Sequence, residues 1–364
     1  NYYSGISLCS FFNRKLYGLN FLTIGDYFKS RYNTIIAVFL SVSIIISYFG
    51  WVAAQFLALG LVLSTVIPAL SLPWAIVLAA AIVTFYTFFG GMRSVALLDT
   101  IQSAVIIFGL GAIFIYALSR VGGMDVFISQ TPKEFWNISP KMSASLTEWI
   151  IFVTALMTIG FGSIPQQDVY QRAMSAKSAT ISVWASVFGG LLYFSIVLIP
   201  LFIAGIARIL YPDVLANDPQ NLILTLVQDH TPVIIQVLFF GALVSAIIST
   251  ASGALLAPGT LLAENVIKPF FTDISDKLRL HIIRTAVILI SFGGVFLALK
   301  DNARIYDLVS SAYSVTLVAG FIPLVVGLYS KKANSFGALL SIILGVSTWQ
   351  YWNLYVATSE IPGT

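Results

Sequence analysis

Long apolar stretches alternate with short polar or charged runs along the whole chain. Nine of them are near or above the roughly 20 residues that cross a bilayer as a helix: 34–64, 73–91, 95–119, 148–165, 179–207, 232–257, 280–299, 305–328 and 335–354. The pattern predicts nine spans. The fourth is short and interrupted, because Gly160, Gly162 and Pro165 crowd its end and weaken the helix where it meets a polar run. Two polar intervals are long. Residues 120–147, with Pro132, Trp136 and Pro140, are expected to form short surface helices. Residues 208–231 carry Asp213, Asp218 and Asp229 and are expected to be acidic and solvated. No low-complexity segment, soluble domain or exact tandem repeat interrupts this order, so residues 1–364 read as a single transmembrane domain.

Composition settles the class. The chain is 58% hydrophobic and 9% charged, with a mean hydropathy of +0.93, where a soluble domain carries about 25% charged residues. This is an all-α polytopic membrane protein. Its 19 Lys and Arg divide thirteen to six between alternate sides, and the richer side, which includes Arg14, Lys29, Arg31, Arg93 and Arg172, is read as cytoplasmic. The net charge of +4 lies in short loops and is no footprint for nucleic acid. One cysteine, Cys9, excludes an internal disulfide framework, and His230 and His281 lack partners at metal-ligand spacing. No G-x-x-x-x-G-K-[ST] run is present, so the chain does not burn ATP itself; an ion gradient is the expected energy source. The chain begins at Asn1 rather than Met, and 1–12 read as the tail of an earlier helix, so an N-terminal truncation is expected.

Four segments carry candidate chemistry. Ser245, Ser249 and Ser252 fall on one helical face of the sixth span, with Thr250 about 100° round from Ser249. Such hydroxyls either bond back to their own helix and allow close packing, or present hard oxygens to a cation such as sodium. In 90–102, Gly-Gly-Met-Arg-Ser-Val leads to Asp99 and Gln102. Asp99 opens an apolar run; it either caps the helix or marks a functional carboxylate at the membrane boundary. In 160–172, two glycines and a proline precede Gln166, Gln167, Asp168, Gln171 and Arg172. An unwound span of this kind exposes backbone groups and marks a transporter's binding site, unless it is simply a helix ending in a loop. Ser310, Ser311, Tyr313 and Ser314 in the eighth span line a cavity or pack on a neighbour, and Gln55 is a lone polar group in an apolar run that calls for a partner.

Together these segments resemble the sodium:solute symporter family. The 90–102 run is similar to the family's Gly-Gly-x-Arg-Ala-Val…Asp-x-x-Gln signature, Gln171-Arg172 with Ala176-Lys177-Ser178 to its Gln-Arg…Ala-Lys-Ser segment, and Ser249-Thr250 to its paired hydroxyls. Thr23 to Phe28 is similar to the family's entry into the next span. The resemblance implies a LeuT-type inverted-repeat helical bundle lacking its first helices, including a broken helix that completes the ion site. Spans one to three would complete the first repeat, four to eight the second, and the ninth would be accessory. It implies sodium-coupled symport of a small organic solute, an amino acid such as proline or a monocarboxylate, by alternating access, with no cofactor and no enzymatic activity. The main sodium site would use the Ala246 carbonyl, Ser249 and Thr250; a second sodium would use Asp99 and Ser252, although Gly253 stands where a serine often occurs. Solute would lie among Gln55, Phe161, Ser163, Gln166, Ser310 and Tyr313. Choline carriers of the family tend to have Trp at the position of Gln166, which argues against choline. The implied setting is the lipid bilayer of a bacterial inner (plasma) membrane. A transporter-like sensor module and a proton-coupled carrier using Asp99 are the alternatives.

Overall fold

The computed structural model describes residues 10–89, 92–137, 139–271, 274–300 and 303–356. Two short helices, α1 (Ser10–Tyr17) and α2 (Ile24–Arg31), lead into α3 (Thr34–Val66), α4 (Leu72–Phe89) and α5 (Met92–Val121). The chain continues through α6 (Met124–Gln130), α7 (Leu146–Gly162), α8 (Gln167–Met174), α9 (Ala179–Leu210), α10 (Pro212–Asn217) and α11 (Leu222–His230). It closes with α12 (Val233–Leu261), α13 (Asp276–Ala298), α14 (Ile305–Thr316), α15 (Ile322–Tyr329) and α16 (Ser335–Tyr351). Three π turns continue α12 (Leu262–Ile267), join α14 to α15 (Leu317–Phe321) and follow α16 (Trp352–Val356). Among the described residues there is no strand.

Helices stand at all nine expected places. Seven stretches are long and apolar enough to cross a membrane, and α7 with α8 makes an eighth as a bent pair. The ninth corrects the sequence reading: α16 has 17 residues before it relaxes into its π turn, short of a full crossing as a regular helix. The helices start where side chains satisfy their first free N–H groups. Asn33, Ser145, Ser178, Ser275 and Asn334 each cap the helix that follows, and Ser145 forms a reciprocal box with Glu148. Phe108 and Phe336, each 76% exposed, lie among many outward Leu, Ile and Val side chains. That surface suits hydrocarbon rather than water.

The core is built around α3, which packs against α4, α12, α13 and α14. Leu40, Ile44, Tyr48, Val52 and Phe56 repeat every fourth residue along it and are fully buried. Association in lipid rests on close contact rather than on expulsion of water. At Gly60 an added Cβ would sit 3.1 Å from the Ile76 Cα, so α3 and α4 touch through backbone there.

At one end of the bundle α2 acts as a clamp. Thr23 and Asp26 form a capping box; the Thr23 hydroxyl donates to Asn265 Oδ1 (2.6 Å) and the Asn265 amide donates to Asp26 (2.9 Å). On its other side Tyr27 and Tyr32 donate to the carbonyls of Leu324 and Pro323, and Arg31 to those of Gly327 and Ser330. Burial raises the pKa of both phenols, with Arg31 pulling the other way, so both remain donors.

At the opposite end, α6 and the short turn Lys133–Trp136 form the expected surface helices, with Phe127, Phe135 and Trp136 packed ring on ring. Residues 208–231 are not solvated throughout. The α11 helix buries Leu222, Leu224, Leu226 and Val227 and packs on α9 and α12. Its apolar face outweighs the aspartates that flank it.

The contact at Gly60 predicts an asymmetry between two glycines. Gly60→Leu should overpack the α3–α4 seam at a cost of about 1–3 kcal/mol and lower the thermal unfolding midpoint of the purified protein. Gly111→Leu, where an added Cβ meets nothing within 4 Å, should leave that midpoint unchanged.

Candidate functional site

The interrupted fourth span is a true break. The α7 helix stops at Gly162, α8 starts at Gln167, and their axes differ by 49°. Pro165 has no N–H and disfavours helix at Ile164, which explains the stop. Opposite the break lies the π turn between α14 and α15. Such turns inside helices recur at functional sites.

Side chains lock the two irregular segments together. The Thr316 hydroxyl donates to the Gly162 carbonyl at 2.5 Å. A side chain at position 162 would collide with the Tyr313 carbonyl, so glycine is required for this approach. Phe161 stacks on Phe321 with centroids 4.8 Å apart and planes at 5°. Trp51 packs on Tyr313 at 5.2 Å. Gln166 is 4% exposed; its Nε2 donates to Thr316 Oγ1 at 3.4 Å, and its Oε1 has no partner. Ser163, also buried, donates to the Gly160 carbonyl at 3.1 Å.

Of the expected solute residues, Phe161, Ser163, Gln166 and Tyr313 therefore converge on one place. Ser310 lies one turn before Tyr313 on α14 and is half-buried, and Gln55 lies one turn beyond Trp51 on the same face of α3. Sequence reasoning passed over Trp51, Thr316 and Phe321. A signal for the first was present: Tyr48, Trp51 and Gln55 recur at i, i+3 and i+7, a stripe of aromatic and polar groups within an apolar helix.

The hydroxyl stripe lies on α12. Thr250 Oγ1 donates to the Ala246 carbonyl and Ser252 Oγ to the Ser249 carbonyl, both at 2.9 Å. Each proton is turned onto the helix itself, as the packing reading expects. The same arrangement leaves oxygen lone pairs directed away from the helix, as a hard cation requires. Ser245, Ala246, Ser249 and Thr250 are half-buried and Ser252 is fully buried. Asp99 belongs to α5, but its side chain, like Gly90 and Gly91, lies outside the described residues.

One turn past Thr250, an added Cβ on Gly253 would come within 3.0 Å of Arg172 Nη2. Arg172 pairs with Asp168 at 3.2 Å. The buried Tyr48 hydroxyl donates to Asp168 Oδ1 (2.6 Å) and accepts from the Asp168 N–H (2.9 Å). This network ties α3, α8 and α12 together beside the break. A serine at position 253 would have to displace the guanidinium.

Comparison with known proteins agrees with this architecture. The model of the sodium:solute symporter family matches residues 6–345. Over 341 residues the chain is 28% identical to the sodium/pantothenate symporter of Haemophilus influenzae, covering 91% of this chain and 68% of that protein. It is 27% identical to sodium/proline symporter 2 of Staphylococcus saprophyticus, with coverage of 91% and 66%. It is 26% identical to the high affinity choline transporter 1 of Homo sapiens, with coverage of 92% and 59%. The chain thus spans about two-thirds or less of the length of these relatives. A Na+-coupled sialic acid symporter solved in a substrate-bound outward-open state shares the fold, with a TM-score of 0.80 over 97% of this chain and 76% of that one at 19% identity.

The Tyr48–Asp168 pair generates a stability prediction. Tyr48→Phe takes from the partly buried Asp168 carboxylate and N–H their shared partner, leaving the carboxylate only Arg172 among the described residues, which should cost about 1–3 kcal/mol. Thermal denaturation should show a lower midpoint for Tyr48→Phe than for wild type.

Proposed function

Because this chain belongs to the sodium:solute symporter family, we propose that the protein uses sodium entry to drive uptake of a small organic solute across a plasma membrane by alternating access. The observation that carries this reading is the broken α7–α8 span set against a π turn, with the α12 hydroxyl stripe one network away. In membrane transporters, discontinuous helices place backbone and polar groups at the substrate and ion sites. Here the break has polar groups of its own and aromatic walls.

The Ala246 carbonyl with the Ser249 and Thr250 hydroxyls is the proposed main sodium site. Hard oxygen ligands suit a hard monovalent cation, and rotation of the Thr250 hydroxyl proton onto the Ala246 carbonyl points its lone pairs outward. A second sodium would need Asp99 and Ser252; the Ser252 hydroxyl faces the Ser249 carbonyl, and Arg172 occupies the adjoining Gly253 position. Solute would sit at the break, among Phe161, Ser163, Gln166 and Tyr313, with Gln55 and Ser310 toward the outer end. Sodium favours the conformation that binds solute, and by linkage solute tightens sodium equally.

Uptake by the complete protein in liposomes under an imposed sodium gradient tests this. Ser249→Ala and Thr250→Ala should each raise the half-saturating sodium concentration about tenfold or more, equivalent to at least 1.4 kcal/mol. Unchanged sodium dependence in both variants would overturn the site. Uptake that ignores sodium and follows a pH gradient would move the coupling to protons.

A further inference from the structure

The orientation of one buried amide restricts the chemistry of the solute. Thr316 has a single hydroxyl proton, and its shortest acceptor is the Gly162 carbonyl at 2.5 Å; the Tyr313 carbonyl lies at 3.1 Å. Both acceptors belong to the backbone of the break and of α14. With its proton held there, Thr316 can offer Gln166 only a lone pair. Gln166 must therefore turn its NH2 toward Thr316, as it does at 3.4 Å. Amide orientation is assigned from such networks, and here the network allows one choice. The atom left over is the carbonyl oxygen Oε1, which is buried without a donor. The ring pairs Phe161–Phe321 and Trp51–Tyr313 join the same elements, the end of α7 to the π turn and α3 to α14.

A buried acceptor without a donor costs free energy comparable to a lost hydrogen bond. A solute that supplies the donor recovers that energy on binding; one that lacks it does not. A site built to hydrogen-bond a polar group rejects the analogue without it far more strongly than an apolar pocket rejects a change of size. We infer that Gln166 selects solutes bearing an N–H or O–H donor, such as a protonated amine, an amide or a hydroxyl. It selects against solutes that carry no such donor, whether their polar groups are acceptors only or a fully alkylated ammonium. This inference rests on the reading of the break as the solute site, and it names a solute class for that site.

Matched pairs isolate the donor. Proline and N,N-dimethylproline share ring and carboxylate but differ in N–H groups; lactate and pyruvate differ in a hydroxyl. Pantothenate, with amide and hydroxyl donors, completes the panel. Binding is read as thermal stabilisation of the complete purified protein, titrated with each compound, with and without sodium. Within a bound pair, the donor-bearing member should bind about tenfold or more tightly. In Gln166→Met, which keeps length and removes the acceptor, that ratio should fall to near one. In Thr316→Val the amide can turn over, so the ratio should shrink even where overall affinity is retained. Equal binding within the pairs in wild type, a ratio that survives in Gln166→Met, or failure of every donor-bearing compound to bind would overturn the inference. Selectivity for donors without sodium dependence would uphold it while removing the sodium-coupled reading, so the two fail separately.

Discussion

A peptide group inside a bilayer must find its hydrogen-bond partner within the protein. The rest of this structure follows from how the chain meets that condition where a helix cannot. Between Gly162 and Gln167 the regular ladder stops. The Ile164 and Gln166 N–H groups bond to the carbonyls of Phe161 and Ser163 in tight local turns. The Gly162 carbonyl is taken by Thr316 from another span. A residue without a side chain at 162 and a π turn opposite are the geometric terms of that solution. The broken span is therefore held in place by specific contacts, with two buried side-chain atoms, Gln166 Oε1 and Gln167 Nε2, left over. The Gln166 oxygen is the basis of the proposed solute preference.

The contacts around α2 differ in kind. There α2 engages Asn265 at the end of α12 on one side and the carbonyls at the end of α15 on the other. The backbone N–H of Ile24 also donates to Gln167 Oε1 at 2.8 Å, and Tyr170 donates to the Phe21 carbonyl. The segment after the break is thus bound to the same short helix that grips α12 and α15. Packing of small and aliphatic residues along α3 supplies the rigid centre, and these polar bonds connect it to the piece that follows the break. A transport cycle that moves α8 has to exchange those bonds for others.

Much of this was legible in the chain. Hydropathy placed the long helices, because an apolar run of about 20 residues needs no distant partner to declare itself, though it counted α16 as a full crossing. Gly160, Gly162 and Pro165 announced the break, since proline and glycine act on the backbone locally. Phe161, Ser163, Gln166 and Tyr313 were named from the family resemblance, and the structure places them near one another at that break. Residues 208–231 misled: three aspartates suggested solvent, while the apolar face of α11 was hidden in a short run that docks on α9 and α12. Thr316 carried no signal of its own, being one hydroxyl among several in its span.

By itself, then, the sequence determined the membrane class of the chain, the places of its long helices and the position of the break. All of these follow from the solvation of nearby residues and from backbone constraints within a few positions. Only the tertiary structure decided which groups answer one another. Thr316 reaches Gly162 across 154 positions, Tyr48 reaches Asp168 across 120, and Tyr27 reaches Leu324 across 297. Arg172 lies over Gly253 because α8 and α12 meet there, which no local pattern encodes. A hydrogen bond depends on ångström-scale placement of two atoms, and that placement comes from how whole helices pack.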